Sequence, residues 1–392
     1  MRGSDPGAMT DYVARAEALA PRIAAAADEI ERERRLPQHL LAALHDAGLF
    51  RLLLPRSLGG AETDPLTFAR VVTAVAMADG STAWCLCQNT VCSIVAAWLP
   101  VESARAIFAP PDAVLAWGPG PARAQAAPGG YRVTGRWSFA SGCRHATWLG
   151  AHCPVFDADG GQRRDAAGSP VELTVLFPAG AAPMTDIWQV VGLRGTASDA
   201  YAVDELFVPE AFTLVRDIPE TRREPGPLYA MSTHLLFAGG FACVALGLAR
   251  GLLDALIALA SEKTPRGYKT RLAESALAQA EIATAEARWR GAHMYLMGTL
   301  AQTWQGIERT SRLDLDQRMA LRLAATHTIH EAVAVADAAY HAAGATAIFT
   351  RNPFERRFRD IHSVAQQVQA RRTHFESVGR HLLGFAPDLQ FV

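Results

Sequence analysis

Few residues in this 392-residue chain sit at spacings that could do chemistry. His327, His330 and Glu331 fall at helical spacing and could share a metal ion, but no further ligand lies nearby in the sequence. A solvated helix face is expected there, with no metal. Gly118-x-Gly120 is not a dinucleotide fingerprint, since no strand–GxGxxG–helix context follows it. Cys85, Cys87, Cys92, Cys143, Cys153 and Cys243 form no CxxC pair, which suits neither a disulfide framework nor zinc. Buried, reduced thiols in a cytoplasmic protein are expected. His362 carries a side chain whose pKa can be set near neutrality. Asn89, between Gln88 and Thr90, is a polar patch in an apolar stretch; it either orients a substrate through its amide or packs a helix. Trp84, Cys87, Phe237 and Phe241 would make a flat apolar pocket, or plain core.

The elements that must position these residues change texture twice. From about Thr10 to Phe108 the chain is Ala- and Leu-rich, with apolar residues at helical spacing: Leu40, Leu41, Leu44 and Ala47, then Phe68, Val71, Val72 and Val75. Asp79-Gly80-Ser81-Thr82 supplies a turn and a capping hydroxyl before the apolar run Ala83–Leu99. From about Asp112 to Val215 alternation predicts strands over 131–137, 171–175 and 201–208, separated by Gly- and Pro-marked turns. From about Pro227 helices return over Leu235–Ser261, Leu272–Ile307, Gln317–Ala343 and Phe354–Leu383. The expected divisions are 10–111, 112–225 and 226–392. Residues 1–9, MRGSDPGAM, look like a cloning remnant and stand outside the fold argument.

Composition narrows the function classes. Lys+Arg (38) and Asp+Glu (39) nearly cancel, which gives no overall basic field for nucleic acid. The longest apolar run, Leu235–Ala249, falls short of the ~20 residues that cross a bilayer, so a buried helix is expected and no membrane partner. No charged segment followed by an apolar one supports secretion.

Helices, then strands, then a helical bundle resembles the acyl-CoA dehydrogenase fold, and five strings in the right order carry the resemblance. They are Asp79–Trp84, Gly135-x-Trp137-x-Phe139-Ala140-Ser141-Gly142, Gly192–Ser198 followed by Val208-Pro209, Ala245–Gly251 and Arg356–Asp360. The resemblance implies an α+β chain: an N-terminal helical domain, a central antiparallel β domain and a C-terminal four-helix bundle. Dehydrogenases of the family abstract an α-proton with a carboxylate. The position about nine residues past Arg359 is Val368, and 228–253, where other members carry the base, contains no acid. Glu376 lies two helical turns beyond the expected place.

Phe139–Gly142 and Arg359-Asp360-Ile361-His362-Ser363 look instead like the two-component flavin-dependent monooxygenases of this fold. That branch takes reduced FAD or FMN from a separate NAD(P)H:flavin reductase, forms a flavin C4a-hydroperoxide with O₂ and passes oxygen to a small aromatic. A phenolic or indolic substrate is expected. The resemblance assigns Ser141 as a donor near flavin N5, and His362 as a donor to the peroxide or a base for the substrate. Trp117, Trp137, Phe139, Lys263 and Arg266 would hold the cofactor. Trp137 and Phe139 read equally as sheet core, and Lys263 and Arg266 as solvent-exposed. Trp84, Asn89, Phe237 and Phe241 would line the substrate pocket. Flavin lies between subunits in this fold, implying a homotetramer. Rival readings are an acyl-CoA dehydrogenase with a displaced base, an N- or S-oxygenating member of the same branch, and a non-catalytic flavin-binding scaffold.

Overall fold

The computed structural model describes residues 11–165 and 168–392; the N-terminal remnant lies outside them. Six helices come first: α1 Tyr12–Ala25, α2 Ala27–Glu33, α3 Gln38–Asp46, α4 Pro65–Ala78, α5 Gly80–Cys92 and α6 Val101–Phe108. Aspartates start three of them. Asp11 accepts from Ala14 N, and Asp64 from Leu66 N and Thr67 N with Pro65 in the first turn. Asp79 accepts from both the Thr82 N–H and the Thr82 hydroxyl, so the α5 cap is the carboxylate and Thr82 is its donor. The apolar run then leaves the α-helix at Cys92 and continues as a 3₁₀ segment, Ser93–Trp98.

Eight strands follow: β1 Leu115–Trp117, β2 Ala122–Ala127, β3 Gly130–Trp137, β4 Trp148–Phe156, β5 Glu172–Pro178, β6 Met184–Thr185, β7 Ala200–Pro209 and β8 Thr213–Leu214. Their order is β6-β7-β3-β2-β4-β5-β8, with β1 beside β4. The expected antiparallel sheet is in fact mixed, because β1 and β2 both run parallel to β4. Parallel pairing needs long connections, which hairpin-spaced alternation does not reveal.

The remaining helices are α7 Thr233–Glu262, α8 Ala276–Thr310, α9 Leu315–Ala343, α10 Phe354–Val364 and α11 Thr373–Leu382. The single last helix expected over 354–383 is broken at 365–372. There Gln367 accepts from Gln369 N, and Gln369 Oε1 turns to the buried guanidinium of Arg322 at 2.6 Å. A charge that deep requires partners, and the break places Gln369 as one of them beside the Phe391 carbonyl. α7 is long and apolar enough to span a membrane by composition, and most of it is buried inside the protein. Gly240 and Gly247 let it close on α5 and α4: a Cβ at Gly240 would collide with Cys87 Sγ, and one at Gly247 with Ala76 Cβ and Thr73 O. This contact places Phe241 against Trp84, with Phe237 on the far side of Phe241.

Candidate active site

Ser141 sits in the turn that leaves β3, between Phe139 (φ 56°) and Gly142 (φ 79°). Its Oγ lies 2.9 Å from Trp84 Nε1 and 2.6 Å from Ser198 Oγ. Ser198 Oγ is 2.7 Å from Thr196 Oγ1, which in turn is 2.9 Å from Leu193 O. The two ends set the polarity, because an indole N–H only donates and a carbonyl only accepts. Protons therefore run one way: Trp84 donates to Ser141, Ser141 to Ser198, Ser198 to Thr196, and Thr196 to Leu193 O. The expected role of Ser141 as a donor is corrected here. Its hydroxyl proton is committed to Ser198, and what remains is one acceptor lone pair.

Asn89 does not present its amide to a pocket. Its Nδ2 donates to Leu115 O at 3.1 Å and to Ser141 O at 3.4 Å, while Oδ1 pairs with His145 Nε2 at 3.0 Å. It braces the Ser141 turn from behind, and a Cβ at Gly142 would strike it. Burial, helped by His45, pushes the His145 pKa down to about 3, so a neutral imidazole donates to Asn89.

Trp137 points into the sheet core, fully buried and stacked on Tyr201 with centroids 5.3 Å apart. It is not a flavin wall. Phe139, past the end of the strand, is 61% exposed and meets the edge of Trp188 at 5.8 Å. Ile187 and Val191 are exposed on the same loop. A phenylalanine held at positive φ with its ring in solvent is costly on both counts. An aromatic platform beside a polar turn is what a flat tricyclic ring requires, so these residues fit a flavin.

Trp84 and Phe241 stack at 3.9 Å, Phe237 lies 5.7 Å beyond, and Trp117 meets Phe237 edge-on at 6.3 Å. Trp117, expected at the cofactor, continues this row of packed rings. His362 is not brought to Ser141. It pairs with Asp337 on α9 at 2.9 Å and packs on Phe358, two residues from Asp360, whose carboxylate holds Leu193 N. Two residues make a 200° turn on a helix, so His362 faces away from the Leu193 loop. Lys263 Nζ donates to Ala343 O at 2.6 Å, capping α9. Arg266 is exposed four residues past the end of α7, and that end is itself about 30 Å along the axis from Phe241. Neither basic residue reaches the Ser141 site of its own chain.

His327 and His330 diverge: His327 meets Tyr295, and His330 pairs with Ala370 O at 3.0 Å. No group of three metal-ligating side chains occurs among the described residues. All six cysteines are buried and unpaired, and burial pushes Cys143, Cys153 and Cys243 up to about 12. Gly118 and Gly120 press on the backbone of 136–140 at the end of β3 and leave no phosphate loop.

The sequence reading missed Thr196, Ser198, Trp188 and Asp199. Asp199 Oδ1 accepts from Ile187 N and Trp188 N, and its Oδ2 pairs with Arg144 at 2.6 Å. Trp188 Nε1 donates to Leu193 O at 2.9 Å, filling the second lone pair of the carbonyl that ends the hydroxyl chain. The alternation of hydroxyls in Gly195-Thr196-Ala197-Ser198-Asp199 was the available signal.

This arrangement on this fold defines a class. The acyl-CoA dehydrogenase N-terminal domain matches residues 13–100 and the acyl-CoA dehydrogenase C-terminal domain matches 239–372; the chain belongs to that family. Within it the chain is a flavin-dependent monooxygenase, similar throughout its length to oxygenase components. It is 29% identical to indole-3-acetate monooxygenase of Pseudomonas putida, over 92% of this chain and 90% of that one. It is 29% identical to the oxygenase subunit HsaA of Rhodococcus jostii, over 89% and 92%. Among solved structures, 3-HSA hydroxylase from a Rhodococcus species superposes with a TM-score of 0.89 at 26% identity, over 97% of this chain and 99% of that one. XiaF from a Streptomyces species, solved with FADH2, gives 0.88 at 25% identity, over 96% of each chain.

Proposed function

We propose that this protein hydroxylates a small phenolic or indolic compound, using O₂ and reduced FAD or FMN delivered by a separate NAD(P)H:flavin reductase. The carrying observation is where the acids are. The buried carboxylates among the described residues are Asp79, Asp199 and Asp360, and each is held by backbone N–H groups. Glu376 is exposed. A thioester's α-proton would find no free base beside Ser141, so desaturation lacks its catalytic group.

The reduced flavin supplies the activation of O₂. This chain's residues do the rest. Phe139 and Trp188 offer the ring a platform, and the Ser141 lone pair accepts an N–H from the ring's polar edge. The hydroxyl chain behind Ser141 ends in a saturated carbonyl, which accepts hydrogen bonds but takes no proton. It therefore holds a proton at that edge and gives it no way out. Trp84, Phe241, Phe237 and Trp117 keep water from the reacting face and pack an aromatic substrate.

Arg266 and Lys263 would meet a flavin only on a neighbouring subunit, which supports assembly, proposed as a homotetramer. Six buried thiols without a disulfide support a cytoplasmic setting. The test supplies reduced FAD or FMN anaerobically, then ¹⁸O₂, with a panel of phenols and indoles. One ¹⁸O atom in the product is expected. Anaerobic bleaching of bound oxidised flavin by an acyl-CoA, with no oxygenated product, would overturn the reading.

A further inference from the structure

The aromatic row that starts at Ser141 ends on a loosely paired cation. Arg216 lies between β8 and α7, with its Cζ 5.7 Å from the centroid of Trp117. Its side chain is only 15% exposed, and it makes no hydrogen bond among the described residues. Its one ion pair is loose: Glu172, 57% exposed, at 3.7 Å. Asp217 beside it is already spent, accepting from the N–H and hydroxyl of Thr233 at the start of α7. A guanidinium held this way, with one exposed carboxylate partner, is free to form two further bonds with an arriving anion.

Its surroundings are prepared for an anion. His152 packs edge-on against the same Trp117 ring at 5.1 Å and shares its Nδ1 with Thr174. His234 lies one helical turn before Phe237 on α7. Burial, and then the charge of Arg216, push His152 well below its usual pKa and His234 to about 4. Both imidazoles are therefore neutral and still able to donate. Arg318 and Arg322 add positive charge from α9. The carboxylates that face these cations are Asp217, bonded to Thr233, and the exposed Glu172.

We propose that Arg216, beside His152 and the Trp117 ring, anchors the carboxylate of an aromatic acid whose ring lies along Trp117, Phe237 and Phe241. The planar fork of arginine matches a carboxylate with two parallel bonds, and Trp117 holds that fork flat. The substrate class becomes a phenol or indole bearing a short acid arm. This rests on the aromatic oxygenase reading above and narrows it.

The experiment titrates the flavin-free protein calorimetrically with indole-3-acetate and 4-hydroxyphenylacetate, and with the two corresponding amides. The acids should bind at least about tenfold more tightly than the amides. Arg216→Gln should abolish that preference, while Arg216→Lys should keep part of it as a point charge. Equal affinity for acid and amide, or an unchanged preference in a folded Arg216→Gln protein, would overturn the anchor. A second arm compares riboflavin, FMN and FAD. A loss in Arg216→Gln confined to the phosphorylated flavins would assign the cation to the cofactor and likewise overturn it. Oxygenation of neutral indole by the wild type separates the two readings. If it occurs while the acid preference is absent, only the anchor falls. If no aromatic is oxygenated while the preference persists, the anchor stands and the oxygenase reading falls.

Discussion

Trp84 Nε1 donates to Ser141 Oγ at 2.9 Å, and this bond decides which way the serine proton points. With the indole occupying one lone pair and Ser198 taking the proton, Ser141 faces the site as an acceptor only. Replacing Ser198 with Ala frees that proton to turn toward the site. Ser141→Ala should raise the share of consumed O₂ released as hydrogen peroxide by about tenfold, the scale of one well-placed hydrogen bond. Ser198→Ala should give a smaller rise. Because Ser198 acts through Ser141, the double variant should match Ser141→Ala alone. Peroxide and product counted together in one assay check this, and additive effects would separate the two serines.

Asn89 distinguishes a brace from a substrate contact. Three hydrogen bonds, to Leu115 O, Ser141 O and His145, end on it, the first two buried and the third half-buried. Asn89→Ala leaves those partners unpaired and should cost about 2–4 kcal/mol, read as a lower denaturation midpoint. A variant of native stability with a raised KM would restore the substrate role.

How much of this was legible is clearest at the strand end. Alternation along β3 predicts its existence, but it cannot tell which of Trp137 and Phe139 meets solvent. That depends on where the strand stops, and the left-handed backbone at Phe139 turns the ring outward. The long helices were legible because burial on one face writes itself into spacing. The break at 365–372 was not, because the contact that Gln369 makes there is with Arg322, more than 40 residues earlier in the chain. The hydroxyl chain joins α5, the β3 turn and the Leu193 loop, and no local pattern links three such segments. The missing base, by contrast, was legible, since an absent residue type requires no fold to be seen.

Stability should depend on pH through Asp360. Burial first, then the charge of Asp79, push its pKa up to about 7 in the folded chain, against about 4 in an unfolded one. The folded state therefore holds more protons than the unfolded state between those values. Its contribution to stability is complete below about pH 4 and is lost as the pH rises through about 7. Asp360→Asn keeps an acceptor for Leu193 N without the charge. Its melting temperature should exceed that of the wild type at pH 8, and the gap should close toward pH 5. Parallel profiles for the two proteins would remove Asp360 as the cause.

Phe139 sets stability against function. Its backbone at φ 56° is strained for a side chain of that size, and its ring is exposed. Glycine occupies that conformation freely, so Phe139→Gly should stabilise the flavin-free protein by about 1 kcal/mol. The same change removes the platform beside Trp188. Flavin affinity should then fall by about tenfold, the worth of one aromatic contact. Calorimetry of the flavin-free protein and equilibrium flavin binding give the two numbers independently. A variant that melts lower and binds flavin as before would mean that the ring serves the fold; the opposite pair of signs is what a residue held out for a ligand must show.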